Sequence, residues 1–399
     1  MRLRGAAVPI VAALLAGAGA PGAPEPLVTP ACPAPAGDWT SVQHMLDSAV
    51  AAGAAPGLVL AVSNRGVRLV YGTGRLGQGQ PERPNAQTLY DLASLTKVVA
   101  LTTLAMFAVD ERRLELDAPV QRYLPEFAGT GKDRVTIRHL LTHSSGLRAH
   151  RPLYLETASR EAALALVNAT PLDTAPGQRT LYSDLGAMVL TEVIERIYGN
   201  RIDALARAHL FEPLGMRRTR YRPPKSWRRH IAPTERDPWR GRVLRGEVHD
   251  ENAARLAGVS GHAGLFSSAE DLLRFGEWLL KQTGGLSDGR TGGGPSVYPS
   301  VVAEFFRRQD LVPGSSRALG WDTPSPGSSA GTRLSPGSIG HTGFTGTSIW
   351  LDPARQLVII LLSNRVHPTR ENQRLGPLRA AVADRVLTTL YGDTATVLR

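Results

Sequence analysis

Gln356-Leu357-Val358-Ile359-Ile360-Leu361-Leu362 is apolar at every position but the first. Successive side chains of a strand point to opposite faces, so a strand with no polar alternation is buried on both sides and central in a covered sheet. Thr347-Ser348-Ile349-Trp350-Leu351 and the turn Asp352-Pro353-Ala354-Arg355 precede it, which makes the pair a hairpin. The same signal stands near the other end of the chain. There Gly57-Leu58-Val59-Leu60-Ala61-Val62-Ser63 and Val67-Arg68-Leu69-Val70-Tyr71-Gly72 flank the turn Asn64-Arg65-Gly66.

Between the hairpins the period changes. Residues 94–110, 161–168, 185–198, 201–210 and 269–280 carry apolar side chains at helical spacing. Residues 283–296 and 323–338 are rich in Gly, Ser and Pro and read as exposed loops. The expected class is α+β: an antiparallel sheet built from both chain ends, packed with helices, plus a helical lobe inserted at about residues 111–300. One unit with two lobes is expected over residues 38–395.

The first 37 residues read as processing sequence. Arg2 and Arg4 precede an apolar run, residues 5–20, that is too short to span a bilayer and is broken by Pro9. This predicts a signal peptide over 1–20, a Pro-rich tether over 21–37, and an exported protein of the periplasm or the cell exterior. Cys32 is the single cysteine, so an intrachain disulfide is excluded. It reads as an unpaired thiol in the tether. Lipidation there, the one route to peripheral membrane association, fits poorly, because Thr29-Pro30-Ala31 is a weak lipobox.

The 399 residues are 42% hydrophobic and 20% charged, which excludes disorder as the main state. The net charge of +11 is carried almost wholly by arginine, since Lys97, Lys132, Lys225 and Lys281 are the only lysines. Aromatics are 6% and the densest basic cluster, residues 217–229, lies in one loop-like stretch. A nucleic-acid partner is therefore not expected, whereas weak attraction to anionic cell-surface polymers is.

The chemistry begins at Asp91-Leu92-Ala93-Ser94-Leu95-Thr96-Lys97. Ser94 and Lys97, three apart on a helix, project from one face, so the amine reaches the hydroxyl. A serine is a weak nucleophile and needs such a base, and burial would lower the amine's pKa towards that task. The same pattern also suits an N-cap serine beside a surface lysine. Tyr182-Ser183-Asp184 then leads into an apolar helix, and taken singly Tyr182 is a packed aromatic. Gly340-His341-Thr342-Gly343 opens the C-terminal hairpin, where its glycines let a substrate lie along a strand edge.

Together and in this order, Ser-x-x-Lys, Tyr-x-Asp and His-Thr-Gly resemble the serine penicillin-recognising enzymes: class C β-lactamases, D-alanyl-D-alanine carboxypeptidases and related serine esterases. Residues 138–147, 211–216 and 261–267 are similar to further stretches of that family, and Val248-His249-Asp250-Glu251-Asn252 looks closest to a penicillin-binding protein 4B-like branch. The resemblance implies the β-lactamase/DD-peptidase fold and an acyl-enzyme mechanism with no metal or other cofactor. It makes Ser94 the nucleophile, Lys97 with Tyr182 the proton relay, and the backbone N–H groups of Ser94 and Phe344 the oxyanion hole. Asp184, His341, Thr342 and Gly343 would bind substrate.

Two departures bear on substrate. Asp184 stands where many relatives have Asn; an ionised carboxylate cannot donate to a substrate carbonyl, and beside Lys97 it raises the amine's pKa. His341 replaces the usual Lys, and a half-charged imidazole would grip a substrate carboxylate better below pH about 6.5. His139 with His143, and His249, Asp250 and Glu251 with His262, lack the spacing of a metal site and read as structural. The expected function is a secreted serine hydrolase, DD-carboxypeptidase or peptidase-like, on small-molecule or peptide substrates, with peptidoglycan as the source. An esterase or weak β-lactamase is the alternative within the class, and a catalytically weak penicillin- or cell-wall-binding module the alternative outside it.

Overall fold

The computed structural model describes residues 35–284 and 294–393. All of them fall within one compact unit. Residues 1–20, read as a signal peptide, Cys32 and most of the segment read as tether fall outside the described residues, as do residues 285–293 of the first Gly-rich loop. Pro35 is buried, and its carbonyl accepts the Trp39 indole N–H at 2.8 Å. A buried indole needs such a partner, so the fold begins before residue 38 and takes in the end of the segment read as tether.

The strands are β1 (Gly57–Asn64), β2 (Val67–Gly74), β3 (Leu89–Asp91), β4 (Arg220–Tyr221), β5 (Arg236–Asp237), β6 (Arg242–Val243), β7 (Leu265–Ser268), β8 (Ile339–Thr342), β9 (Ser348–Asp352) and β10 (Leu357–Ser363). The helices are α1 (Thr40–Ala51), α2 (Thr103–Asp110), α3 (Ile137–Leu141), α4 (Leu153–Glu156), α5 (Arg160–Ala169), α6 (Asp184–Tyr198), α7 (Ile202–Ala206), α8 (Glu251–Arg255), α9 (Ala269–Lys281), α10 (Pro299–Phe306) and α11 (Leu375–Tyr391).

The main sheet runs β2-β1-β10-β9-β8, antiparallel throughout, with β10 in the middle. Leu60 faces Leu361 and Val62 faces Ile359, so the two hairpins from opposite ends of the chain zip together as expected. Both faces are covered. Val59, Ala61, Val358, Ile360 and Leu362 point into the large core shared with the central helices, whereas Leu58, Leu60, Leu357, Ile359 and Leu361 pack under α1 and α11. Neither covering helix was anticipated from the sequence.

The inserted stretch is not wholly helical. Inside residues 111–300, β7 joins β3 and β4 in a second, three-stranded sheet, and α9 lies across the main sheet. Gly276 of α9 allows that approach, since a Cβ there would meet Val358 at 2.7 Å. Two helical stretches read as uniform are broken by wide turns: residues 97–102 and 207–211 are π-helical. Such turns cluster at functional sites. Among the described residues no helix is long and apolar enough to cross a membrane.

Candidate active site

Ser94 and Lys97 meet at the foot of β3. Asp91 ends the strand, its carboxylate accepts the Ala93 N–H at 2.8 Å, and Ala93 takes a φ of 46°, which L residues rarely adopt. The chain then closes in i→i+3 bonds, including Lys97 N–H to Ser94 O at 3.0 Å. Ser94 thus sits on a strained turn before the helix rather than on the helix itself. Lys97 is 3% exposed, as Val98, Val99, Ala100 and Leu101 led one to expect.

The Lys97 Nζ donates to Ser94 Oγ at 3.1 Å and to the His262 carbonyl at 2.9 Å, and Asp184 Oδ1 lies 2.7 Å away. Two of its contacts are hydrogen bonds, and the Asp184 carboxylate meets it as an ion pair outside hydrogen-bond geometry. Burial opposes the charge, but the Asp184 carboxylate and the nearby Tyr182 outweigh it and raise the Lys97 pKa above its ordinary value. At rest Lys97 is a cation, and Asp184 acts on it as its position in the sequence suggested.

Tyr182 and Asp184 are placed by the segment after α3. Ser183 caps α6 by accepting the Gly186 N–H at 3.1 Å, and its own hydroxyl donates to Arg148 O at 2.7 Å. Its N–H donates to His143 Nδ1, and the His143 and Tyr182 rings lie 4.5 Å apart. His143 therefore positions Tyr182. The hydroxyl of Tyr182 is buried and outside hydrogen-bond geometry to any protein group among the described residues. Burial raises its pKa, and the neighbouring Lys97 cation opposes that shift. Lys97 Nζ is 4.9 Å from the ring centre.

His341 departs from expectation. It is 3% exposed, and burial, with Arg317 and Lys97 as neighbouring cations, holds its pKa well below the ordinary imidazole value. The half-charged histidine read from the sequence is replaced by a neutral one. Its Nδ1 lies 2.8 Å from the Thr342 carbonyl, which can only accept, so Nδ1 carries the proton and the buried Nε2 offers a lone pair. One of those cations, Arg317, was marked by no motif and is paired with a carboxylate. Its guanidinium lies 5.3 Å from the Tyr182 ring and 3.1 Å from Asp322.

Thr342 ends β8, and Gly343 opens the turn to β9; a side chain on Gly343 would collide with Thr347 Oγ1 and the Leu92 carbonyl. Thr345 Oγ1 donates to Asp91 O at 2.7 Å and Thr347 Oγ1 to Leu92 O at 2.9 Å. These two hydroxyls tie the Phe344 turn to the segment that carries Ser94. Among the described residues the N–H groups of Ser94 and Phe344 donate to no protein acceptor, so both are free for a ligand oxygen. The Phe344 ring is 48% exposed and stacks on His249 at 5.7 Å.

His249 and His262 each pair with a separate carboxylate, Glu235 and Asp250, both at 2.9 Å. His139 closes a capping box with Thr136. Each of the three imidazoles is thus engaged by a protein partner. The sequence reading missed Thr345, Thr347, Arg317 and the positioning role of His143. Only the two threonines carried a signal, as polar residues beside the His-Thr-Gly motif.

The chain is similar to known proteins of one family. The "Beta-lactamase" family model matches residues 42–384. An "N-acetylmuramyl-L-alanine amidase" of Bacillus subtilis is 30% identical over 90% of the chain and 87% of its own length. A "Putative D-alanyl-D-alanine carboxypeptidase" of Salmonella paratyphi B is 31% identical, covering 78% and 79%. A solved structure titled "A class C beta-lactamase" superposes with a TM-score of 0.69 at 21% identity, over 89% of the chain and 97% of its own. The chain belongs to the Beta-lactamase family and is a serine hydrolase of the β-lactamase/DD-peptidase superfamily.

Proposed function

We propose that the protein is an exported DD-carboxypeptidase-like enzyme that acts on cell-wall peptides through an acyl-enzyme on Ser94. The observation that carries this reading is the Ser94 Oγ held 3.1 Å from Lys97 Nζ beside two free backbone N–H groups. Ser94 attacks the substrate carbonyl while its proton passes into the Lys97–Tyr182 pair, and the N–H groups of Ser94 and Phe344 take the oxyanion. The C–N bond breaks, the pair returns the proton to the leaving amine, and water hydrolyses the ester. With His341 neutral, the cation left to attract the terminal carboxylate of the peptide is Arg317, which shares its charge with Asp322. The names of the two relatives, an amidase and a carboxypeptidase, support cell-wall peptides as the substrate class.

A second reading, an esterase, draws on Asp184. A carboxylate engaged with Lys97 offers no N–H to an amide carbonyl, and an ester depends less on that contact and has a better leaving group. Intact-mass measurement after mixing with a D-Ala-D-Ala peptide, nitrocefin and p-nitrophenyl butyrate, beside assays of released product, separates the readings. An adduct on Ser94 with D-Ala release is expected, and Ser94→Ala should abolish both. Ester turnover alone selects the esterase. An adduct that never turns over selects the binding module, and activity that survives Ser94→Ala overturns the assignment. Arg317→Ala should raise KM for the peptide about tenfold and leave the neutral ester unchanged, as expected for a lost charge contact.

A further inference from the structure

The turn that carries Phe344 is held from behind by a residue 36 positions along the chain from Gly343. Arg379, on α11, donates through Nη2 to the carbonyl of Gly343 at 2.7 Å and to that of Thr347 at 3.0 Å. The Gly346 N–H donates to the same Gly343 oxygen at 3.0 Å, and the Gly343 N–H donates to Thr347 O at 2.8 Å. Both lone pairs of the Gly343 carbonyl are therefore taken. Its peptide unit is the one whose other end is the Phe344 N–H.

We propose that Arg379 is a positioning residue for the oxyanion hole, orienting and polarising the Gly343–Phe344 peptide from its carbonyl side. This rests on the reading above of the Ser94 and Phe344 amides as the oxyanion donors. A peptide is planar, with C=O and N–H pointing opposite ways across a trans bond, so an anchor on the oxygen sets the direction of the hydrogen. A cation at the oxygen also draws charge through the amide resonance and makes the N–H a better donor, the cooperative effect of chained hydrogen bonds.

No carboxylate pairs with Arg379 among the described residues, so its charge is not quenched. Burial and then Arg365 lower its pKa to about 10, which leaves it cationic at neutral pH. A half-buried cation without a counter-ion is a costly way to brace a loop that a neutral donor would brace as well. Arg365 cannot substitute, because its Nη1 is used on the carbonyls of Arg370 and Asn372.

The test uses the full-length protein with nitrocefin and p-nitrophenyl butyrate as probes. Arg379→Gln should slow acylation of Ser94 about tenfold or more with KM within about twofold, a smaller effect than outright loss of an oxyanion donor. Arg379→Lys should recover part of the rate, because it keeps the charge. The ester carbonyl stretch of the trapped acyl-enzyme should move to higher wavenumber in Arg379→Gln, a shift that loosened packing elsewhere would not produce. An unmoved stretch with acylation within about twofold of the parent overturns the proposal while leaving Ser94 as nucleophile. If Arg379→Gln fails to fold, the same two readouts on Arg379→Lys decide, since an ammonium does not reproduce the planar Nη2 donor that bridges the two carbonyls and should still move the stretch. An adduct absent from Ser94 in the parent protein overturns both readings.

Discussion

Asp184 is the residue through which this site differs most in chemistry from an Asn-bearing one. Its carboxylate, 2.7 Å from Lys97 Nζ, favours the ammonium form, and an ammonium cannot take a proton from Ser94. The pKa of Lys97 and that of Tyr182 are both raised, so the base form of the pair is the minor one at neutral pH. Activity should accordingly climb with pH, by about tenfold per unit from pH 7 towards 9, with no step near the ordinary histidine pKa. A kcat/KM profile reaching its plateau near pH 6.5 would contradict this, because buried His341 does not ionise there. Asp184→Asn removes the nearest anion and lowers the Lys97 pKa. It should shift the profile towards acid and raise amide turnover at pH 7 about tenfold, the scale set by losing one adjacent charge. D-Ala release from the peptide measures it.

At the scale of elements, β8 and β9 hold the third motif in place through one close contact. Gly340 faces Trp350 across the pair, and a Cβ there would run into the indole. Trp350 is 3% exposed and donates to Ser329 Oγ at 3.1 Å, so it has nowhere to retreat. Gly340→Val should cost about 1–3 kcal/mol through overpacking and displace His341 and Thr342 with their strand. A fall in Tm with a red-shifted tryptophan emission is the expected result, and an unchanged melt would show that the strand relaxes freely. The hairpins and the amphipathic helices were legible because their apolar periods are long. The π turn over residues 97–102 was not, since its sequence, Lys-Val-Val-Ala-Leu-Thr, has no glycine or proline to mark a departure from an ordinary helix. The covering role of α1 and α11 escaped notice for a related reason: what they bury is the far face of a sheet that exists only when both ends have met.

At the scale of the molecule, that meeting governs stability. β1 is useless until β10, from the other end of the chain, pairs with it, and such non-local pairing is slow to form. The outer face is then sealed by Leu375, Val382, Val386 and Leu387 of α11, all buried against Leu58, Leu60 and Leu361. Each such side chain contributes about 1.5–3 kcal/mol when removed from water, so the four together rival the whole net stability of a domain, about 5–15 kcal/mol. Deleting residues 374–399 should abolish the cooperative thermal transition seen by circular dichroism. Retention of a sharp melt would mean the sheet stands without its outer helix.

The sequence by itself determined the two hairpins, five of the eleven α-helices among the described residues, the central place of residues 356–362 and the residue types of the site. These follow from local rules: the period of apolar residues, turn chemistry, and three short motifs in a fixed order. Only the tertiary structure decided the ionisation of Lys97 and His341, the arrival of Arg317 and Arg379, and the hydroxyl ties from Thr345 and Thr347. Those depend on distances between side chains far apart in the chain. A pKa is set by the burial and the charges around a group, and both come into being when the two ends of the chain close on one another.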